Sequence, residues 1–471
     1  MDTKQIVKVS PISGFPEHLP RQRRIELRLL DIIRKQYELH GFISIETPAV
    51  ERLSVLKAKE KESEKEGDVV KQIYTLGKPQ VEMENEAAQT DTIPKLGLHF
   101  DLTVPLARYV AQHSNDLVFP FRRYQIQKVW RGEKAQRGRS REFYQCDIDI
   151  VGRNTLDIRY DAEILAIISE VFSALGIAKH LIRVSNRKVL SDVGAHFKLT
   201  TDQIKAIRKI LDRNTNLDVE IENYFNDIKT ALTVENLKFL PVIRKLLFAE
   251  NITEIEKTLN LYGIESNGFT ELKTVVESAK KLGCPAERLV VDLKIARGLD
   301  YYTGTVYEIF LPNEDSSICS GGRFDNLASY FSDVPYPGVG ISIGLTRIMD
   351  LLGSRGLLNE EQAATPTFVL VTTRSENENL YNQSLSITKA IRQEGVPAEV
   401  FLESKPVKEQ IDYAVKLGIP YVVLASESDF GEGMVRIKNM NTVSATSEVH
   451  MEVRKLAKYF ATELNRENDR D

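Results

Sequence analysis

Residues 296–308, ARGLDYYTGTVYE, combine one arginine, one aspartate and three tyrosines with two glycines. A guanidinium group can pair with a carboxylate or a phosphate, and tyrosine hydroxyls can hydrogen-bond a polar ring. The segment therefore fits the polar lining of a site for a small charged molecule. A hairpin rich in aromatic residues, without a ligand, is the alternative interpretation.

The densest group of candidate site residues lies at 123–152, which predicts two antiparallel strands joined by a long basic loop. In the second strand, alternation with a period of two places Phe143, Gln145, Asp147 and Asp149 on one face. With the arginines of the loop, this face could hold a phosphate chain, a base and an ammonium group. ATP plus an amino acid would need all three. An ordinary strand with one wet side and a charged hairpin tip is the alternative.

This stretch resembles motif 2 of class II aminoacyl-tRNA synthetases. The resemblance implies that Arg131 and Glu133 grip the α-phosphate and the adenine edge of ATP, and that Phe143 stacks on adenine. Arg139, in the loop, is a further expected ATP ligand. The fold implied is α+β, with the antiparallel catalytic sheet of a class II synthetase.

The segment ARGLDYY is similar to a signature of the histidyl-tRNA synthetase family, which implies that Arg297 contacts the substrate carboxylate and the α-phosphate. Arg297 and Arg131 are therefore the expected catalytic residues. FDLTVP, at 100–105, resembles the family segment that binds the substrate amino group, and FYQCDID carries further ligand positions. The histidine-binding residues implied are Asp101, Leu102, Thr103, Arg131, Gln145, Asp149, Arg297, Tyr301 and Tyr302.

The chemistry of histidine agrees with this set. A neutral imidazole has one N–H donor and one acceptor, so tyrosine hydroxyls and a carboxylate can select it. The cationic amino group needs acids such as Asp101 and Asp149.

Two further segments extend the resemblance. Residues 338–352 predict a buried strand that runs into a helix, and they resemble motif 3, whose arginine, here Arg347, binds the terminal phosphate of ATP. GFISIETPAVE resembles motif 1 and implies that Pro48 lies at a dimer interface. The chain departs from the family where Phe324 replaces a tyrosine and Thr346 replaces a glutamate.

The elements that must position these residues predict several domains. Helical periodicity at 17–39 precedes an edge strand, and amphipathic helices dominate the middle of the chain. After residue 365 strands and helices alternate, as in a small open α/β domain. We predict a catalytic domain at 1–185 and 290–360, a helical insertion at 186–289 and an anticodon-binding domain at 365–471.

Composition excludes several function classes. The 471 residues carry a net charge of −4, which is not the charge of a polybasic nucleic-acid binder. The three cysteines lack metal-site or disulfide spacing, no histidine pair has metal-ligand spacing, and no side chain is predicted to bind a metal.

A Walker A sequence and the HIGH and KMSKS signatures of class I synthetases are absent. Without a signal peptide or a membrane-length apolar run, a cytoplasmic protein without membrane contact is expected.

The resemblance implies a ligase that activates histidine with ATP and Mg²⁺ and transfers it to the 3′ end of tRNA(His). It also implies a homodimer. A catalytically silent paralogue remains the alternative, either a regulatory subunit of ATP phosphoribosyltransferase or a sensor of uncharged tRNA.

Overall fold

The computed structural model describes residues 9–58, 72–77, 95–134, 140–213, 221–295, 302–312, 314, 317–354, 363–374, 376–424, 426–441 and 448–468. The chain divides into two compact units, one of residues 1–17 and 28–354 and the other of residues 18–27 and 355–471. The four domain ranges predicted from the sequence are finer than this division and stay predictions.

The first unit is built on a large sheet and a small one. The strands are β1 (Ile43–Ser44), β2 (Val50–Arg52), β3 (Thr75–Leu76), β4 (Leu96–Leu98), β5 (Phe121–Trp130), β6 (Glu142–Val151), β7 (Leu181–Asn186), β8 (Leu289–Val291), β9 (Thr305–Phe310), β10 (Cys319–Phe324) and β11 (Gly338–Gly344). The large sheet has the order β1-β5-β6-β11-β10-β9-β7-β8, and β2-β4-β3 form the small one. In the large sheet, β1 and β8 pair in parallel with their neighbours, and the strands between them are antiparallel.

The long hairpin of β5 and β6 confirms the predicted pair of antiparallel strands. Cys146, Ile148 and Ile150 of β6 are fully buried on one face of the sheet. The alternate residues face the other side, because side chains of a strand point to opposite faces in turn. The predicted separation into a core face and a polar face is therefore correct.

Helices surround this sheet. Up to residue 354 the described helices are α1 (Pro20–Leu39), α2 (Leu53–Leu56), α3 (Thr103–Gln112), α4 (Arg159–Ala174), α5 (Arg187–His196), α6 (Thr201–Arg213), α7 (Ile221–Thr230), α8 (Phe239–Leu247), α9 (Ile252–Leu261), α10 (Asn267–Lys281) and α11 (Leu345–Ser354). Helix α1 begins three residues later than its predicted start at 17, at a proline, which suits the first helical turn because it needs no N–H donor there. Helix α4 packs on β11 and α10 and buries an almost continuous apolar face.

The described residues between β7 and β8 include the helices α5 to α10, as the helical composition of this part predicts. In α8, Phe239, Val242, Ile243 and Leu246 are buried, at spacings of three and four residues. This spacing places one apolar stripe on the helix, so the region forms its core by helix packing.

The second unit has a five-stranded sheet of order β13-β12-β14-β15-β16. Its elements are β12 (Val369–Val371), α12 (Glu378–Gln393), β13 (Ala398–Val400), α13 (Val407–Leu417), β14 (Tyr421–Leu424), α14 (Glu427–Gly431), β15 (Met434–Asn439), β16 (Glu448–Glu452) and α15 (Val453–Asn468). The three parallel strands and their helices confirm the predicted alternation. The antiparallel pair β15–β16 was not predicted, and β16 is largely exposed, so it lacks a clear apolar period.

Candidate active site

Two cavities open on the polar face of the large sheet, over β6, β10 and β11. The first has a volume of about 220 Å³ and the second about 260 Å³. The two cavities adjoin, because four residues line both of them: Arg131, Gln145, Ser320 and Ser342.

Strand register sorts the lining residues of the first cavity into two rows that cross the sheet. One row, the Asp149 row, runs from Arg123 through Asp149 and Gly340 to Gly322. Residues two apart on a strand are separated by about 6.6 to 6.8 Å, so the next row lies that far along β6. The next row, the Asp147 row, contains Gln125, Asp147, Ser342 and Ser320.

The third row leads towards the second cavity. It contains Gln127, Gln145 and Gly344, and Gln145 lines both cavities. Beyond it lie Phe143 and Thr346, which line the second cavity alone. The sheet therefore orders its polar groups along one direction, from the carboxylates to an aromatic ring.

Glycines form the floor of the first cavity in the Asp149 row. A Cβ on Gly340 would lie 2.1 Å from Oδ1 of Asp149, and a Cβ on Gly322 would lie 2.9 Å from Cδ1 of Tyr302. Both distances are too short for carbon atoms of real side chains. The absence of side chains at these two positions keeps the space between Asp149 and Tyr302 open.

Arg123 and Asp149, which neighbour Gly340 in the Asp149 row, form an ion pair. Nη2 of Arg123 lies 2.6 Å from Oδ2 of Asp149, and the Arg123 side chain is fully buried. Burial raises the pKa of the Asp149 carboxyl well above its usual range, while the Arg123 guanidinium opposes that rise. The pair places one fixed, paired carboxylate at the end of the cavity.

Asp101 and Thr103 reach the first cavity from the N-terminus of α3. Oδ1 of Asp101 accepts hydrogen bonds from the backbone N–H groups of Thr103 at 3.1 Å and Val104 at 3.0 Å. These donors are the ones that a helix start leaves without an intrahelical partner, so Asp101 caps the helix. The cap fixes the carboxyl group where it lines the cavity.

Ser342 links the Asp147 row to Gln145. Nε2 of Gln145 donates to Oγ of Ser342 at 2.6 Å, and Ser342 lies opposite Asp147 in the register of β6 and β11. Asp147 is 2% exposed, and burial raises the pKa of its carboxyl to about 6. Oε1 of Gln145 and Oδ1 of Asp147 are buried and have no hydrogen-bond partner within the described parts of the chain.

Arg131 lies where the two cavities meet. Its guanidinium carbon is 4.4 Å from the ring centre of Phe100 and 5.1 Å from that of Phe143, and its Nε donates to the Phe100 carbonyl at 3.2 Å. Such stacking on aromatic faces is typical of arginine and limits the motion of its planar head group. Arg131 therefore presents a well-positioned cation to both cavities.

The second cavity combines two cations, one acid and an aromatic ring. Arg131 and Arg347 line it together with Glu133 and Phe143. Arg347 lies in the first turn of α11, directly after β11. Two guanidinium groups and a ring suit a ligand that has both phosphates and a planar base.

The structure brings together most of the residues that the sequence analysis selected. The first cavity is lined by Asp101, Thr103, Arg131, Gln145, Asp149 and Tyr302, and the second by Arg131, Glu133, Phe143 and Arg347. Phe324 lines the first cavity and Thr346 the second. Leu102 lines neither cavity: its side chain is fully buried, and its carbonyl accepts from Arg123 at 3.4 Å.

Three predicted residues, Arg139, Arg297 and Tyr301, lie outside the described residues. Tyr302 is described, and its carbonyl accepts a hydrogen bond from Nη1 of Arg187 at 2.9 Å. Tyr307, from the same segment, is fully buried, and its hydroxyl donates to the Gly340 carbonyl at 3.0 Å. Tyr307 therefore supports the glycine floor and lines neither cavity.

Arg123 and Asp147 both belong to the polar rows, although neither was among the predicted ligands. The period-two alternation of β5 carried a signal for Arg123, since Arg123, Gln125 and Gln127 share its polar face. Asp147 was placed on the correct face of β6 but was not selected as a ligand.

Among the described residues, no group of three histidine, cysteine, aspartate or glutamate side chains is placed to hold a metal ion. The helices that the structure describes include none with the length and apolar character needed to cross a membrane. The three cysteines are buried and free.

Comparison with known proteins gives consistent matches over nearly the whole chain. Residues 82–348 match the family model of histidyl-tRNA synthetase, and residues 367–463 match that of an anticodon binding domain. A histidine–tRNA ligase of Xanthomonas axonopodis pv. citri is 39% identical over 453 residues, which cover 92% of this chain and 92% of that protein.

Two solved structures extend the comparison. A crystal structure of histidyl-tRNA synthetase from a Nostoc species superposes with a TM-score of 0.82 at 36% identity, covering 97% of this chain and 100% of that one. An ATP phosphoribosyltransferase regulatory subunit/histidyl-tRNA synthetase from Bacillus halodurans gives a TM-score of 0.68 at 19% identity. It covers 89% of this chain and 99% of that one, and it shows a shared fold only.

Proposed function

The chain belongs to the histidyl-tRNA synthetase family, and we propose that its two adjoining cavities hold histidine and ATP side by side during activation. The protein is an enzyme, a histidine–tRNA ligase that converts ATP to AMP and diphosphate as it attaches histidine to tRNA(His). The observation that carries the site assignment is the meeting of a carboxylate-lined cavity and an arginine-lined cavity at Arg131.

Histidine occupies the first cavity in this proposal. The imidazole ring lies in the Asp149 row, over Gly340 and Gly322 and beside Tyr302, where a carboxylate can accept its N–H. The amino group lies near Asp101 and Thr103 at the start of α3. Tyr301, outside the described residues, adds to the ring pocket according to the family resemblance alone.

ATP occupies the second cavity. Phe143 stacks on adenine from the face of its ring away from Arg131, and Glu133 contacts the adenine edge. Arg347 binds the terminal phosphate, and Arg131 binds the α-phosphate at the junction of the cavities. Arg139 and Arg297 both lie outside the described residues; in the proposal Arg139 remains an ATP ligand, and Arg297 contacts the substrate carboxylate and the α-phosphate.

The chemical step is an in-line attack of the histidine carboxylate on the α-phosphorus, which releases diphosphate and forms histidyl-adenylate. The attacking carboxylate is already ionised, so this step requires no general base. Negative charge builds up on the phosphoryl oxygens, and Arg131 and Arg297 stabilise it. The histidyl group then passes to the 3′ end of the tRNA.

Mg²⁺ fits this site only as an ion that arrives with the nucleotide. The second cavity is lined by one carboxylate, Glu133, and the described residues include no cluster with the ligands for a metal. Mg²⁺ commonly binds through one or two carboxylates together with substrate phosphates and neutralises phosphate charge there.

The second unit binds the anticodon end of tRNA(His) in this proposal, in agreement with its match to an anticodon binding domain. Its phosphate contacts come from scattered cations, of which Lys405, Lys408 and Lys416 are exposed. Arg436 and Lys438 are partly buried, and Arg436 pairs with Asp429 at 2.8 Å. The helices α5 to α10 face the acceptor stem.

We further propose a homodimer with Pro48 at its interface. Pro48 is exposed and follows β1, the edge strand, whose Ile43 side chain is 57% exposed. Gln125 and Gln127 fix this segment, since their Nε2 atoms each donate to Thr47 at 2.9 Å. Sedimentation should give the mass of two chains for the wild type and of one for Ile43→Asp. A wild-type protein that sediments as a single chain contradicts the dimer.

We also propose a cytoplasmic location, because the enzyme acts in translation. The three free thiols agree with this location.

The silent-paralogue alternative is tested by amino-acid-dependent exchange of diphosphate into ATP, measured with each of the twenty amino acids. We expect exchange with histidine alone and histidine-dependent charging of tRNA(His). Exchange with none of the amino acids, in a folded protein, would favour the regulatory or sensor function.

A further inference from the structure

The first cavity contains more carboxylates than its described cations neutralise. Asp101, Asp147 and Asp149 all line it. Arg123 pairs with Asp149 at 2.6 Å, whereas Arg131 lies at the junction with the second cavity. Buried carboxylates are costly without a cationic partner, so a cationic group of a ligand would bind favourably next to Asp147.

Acceptors without a partner in the lining of the first cavity show where a cationic group would bind. Ser342, opposite Asp147 in the register, accepts a hydrogen bond from Nε2 of Gln145 at 2.6 Å. The Gln145 amide therefore turns its oxygen, Oε1, away from Ser342. Oε1 of Gln145 and Oδ1 of Asp147 are the two buried acceptors without a partner, and both residues line the first cavity.

We propose that Asp147 is a further substrate-positioning residue, which binds the α-ammonium group of histidine through Oδ1, together with Oε1 of Gln145. This inference rests on the proposed function, because it concerns the amino group of the histidine held in the first cavity. An ammonium group has three N–H donors, and Asp101, Gln145 and Asp147 together supply three acceptors.

Strand register supports separate roles for the two aspartates of β6, Asp147 at the ammonium group and Asp149 at the ring. Asp149 lies opposite Gly340, with Arg123 on its other side, and Asp147 lies opposite Ser342, one row closer to the second cavity. The two aspartates therefore lie about 6.6 to 6.8 Å apart along β6, so they can contact different groups of one ligand. In this proposal Asp149 contacts the imidazole ring, and Asp147 contacts the ammonium group together with Asp101.

The test compares histidine with its deamino analogue, 3-(imidazol-4-yl)propionate, in the full-length enzyme and in Asp147→Asn. The substitution keeps the shape of the side chain and removes its charge. We expect it to weaken histidine binding about 10- to 100-fold, as for a lost charge-assisted hydrogen bond, and to raise KM more than it lowers kcat. Inhibition of exchange by the deamino analogue should change less than about threefold, because that molecule has no ammonium group to lose a partner.

Asp292→Asn is the matched control, since Asp292 is also a buried aspartate of the large sheet region but lines neither cavity. Its affinity for histidine should stay at the wild-type value. An equal loss for histidine and the deamino analogue in Asp147→Asn would assign Asp147 a purely structural role and overturn the inference, as would wild-type affinity for histidine. Wild-type protein that binds no histidine would instead overturn the proposed function, and the inference with it.

Discussion

Asp149 on β6 lies directly opposite Gly340 on β11, and a Cβ on Gly340 would lie 2.1 Å from Oδ1 of Asp149. The same Cβ would lie 2.5 Å from the backbone oxygen of Ile148, so rotation of the aspartate alone could not make room for it. The conformation of the carboxylate therefore depends on a glycine in the neighbouring strand.

Gly340→Ala should consequently displace Asp149 and obstruct the ring position. We expect the KM for histidine in diphosphate exchange to rise at least about tenfold, since a misplaced contact at this scale is costly in rate and affinity. Gly431→Ala is the control for histidine affinity, because Gly431 lines neither cavity and a Cβ there meets no atom within 4 Å. Equal histidine affinity in the two variants would argue against a ring site over Gly340.

The buried ion pair predicts a specific pattern of stabilities. Arg123→Met leaves Asp149 as an unpaired buried carboxylate and should lower the free energy of unfolding by about 3 to 5 kcal/mol. Adding Asp149→Asn removes that charge and should restore most of the stability, without restoring histidine activation. Denaturant unfolding followed by exchange assays measures both quantities. Additive losses of stability in the double variant would be inconsistent with a direct pair.

Arg131 should contribute mainly to the chemical step. We expect Arg131→Ala to lower the rate of diphosphate exchange by about 100- to 1000-fold, as removal of one charge-stabilising donor commonly does. Arg131→Lys should recover only part of the rate, because an ammonium group lacks the planar fork of the guanidinium. Arg122→Ala is the control. Arg122 lies on β5, but its guanidinium group forms an ion pair with Glu163 at 2.8 Å. An exchange rate in Arg131→Ala similar to that of the control would exclude the assigned role.

Asp147 predicts a pH dependence of stability. Burial raises the pKa of its carboxyl from 3.8 to about 6, while Arg123, Ser342 and Arg131 oppose the rise and Asp101 adds to it. The folded state thus binds the proton more tightly than the unfolded state, and stability falls as pH rises between about 4 and 6. At pH 8, Asp147→Asn should exceed the wild type by up to about 3 kcal/mol, and this advantage should disappear below pH 4. A difference that stays constant from pH 4 to 8 would show that Asp147 titrates normally.

The sequence was sufficient to predict the polar face of β6 and the start of α3. Strand alternation has a fixed period, so Gln145, Asp147 and Asp149 had to share a face once the strand was recognised. Likewise Asp101 and Thr103 were expected at a helix N-terminus, and the structure has α3 begin at Thr103.

The pairing between distant strands could not be predicted in the same way. β6 and β11 are almost two hundred residues apart, and only their register shows that Gly340 faces Asp149 and that Ser342 faces Asp147. The partners of these carboxylates and the burial of Arg123 therefore could not be predicted from the sequence. The side chain of Leu102 illustrates the same limit: it follows Asp101 in a motif, but the helix start turns it into the core.

A crystal structure with bound histidine and a non-hydrolysable ATP analogue tests the assignment of the two cavities most directly. We expect a ring nitrogen within about 2.7 to 3.2 Å of the Asp149 carboxylate, the α-phosphate at Arg131 and the adenine ring against Phe143. Histidine with its amino group at Asp149, or adenine in the cavity floored by Gly340 and Gly322, would contradict it.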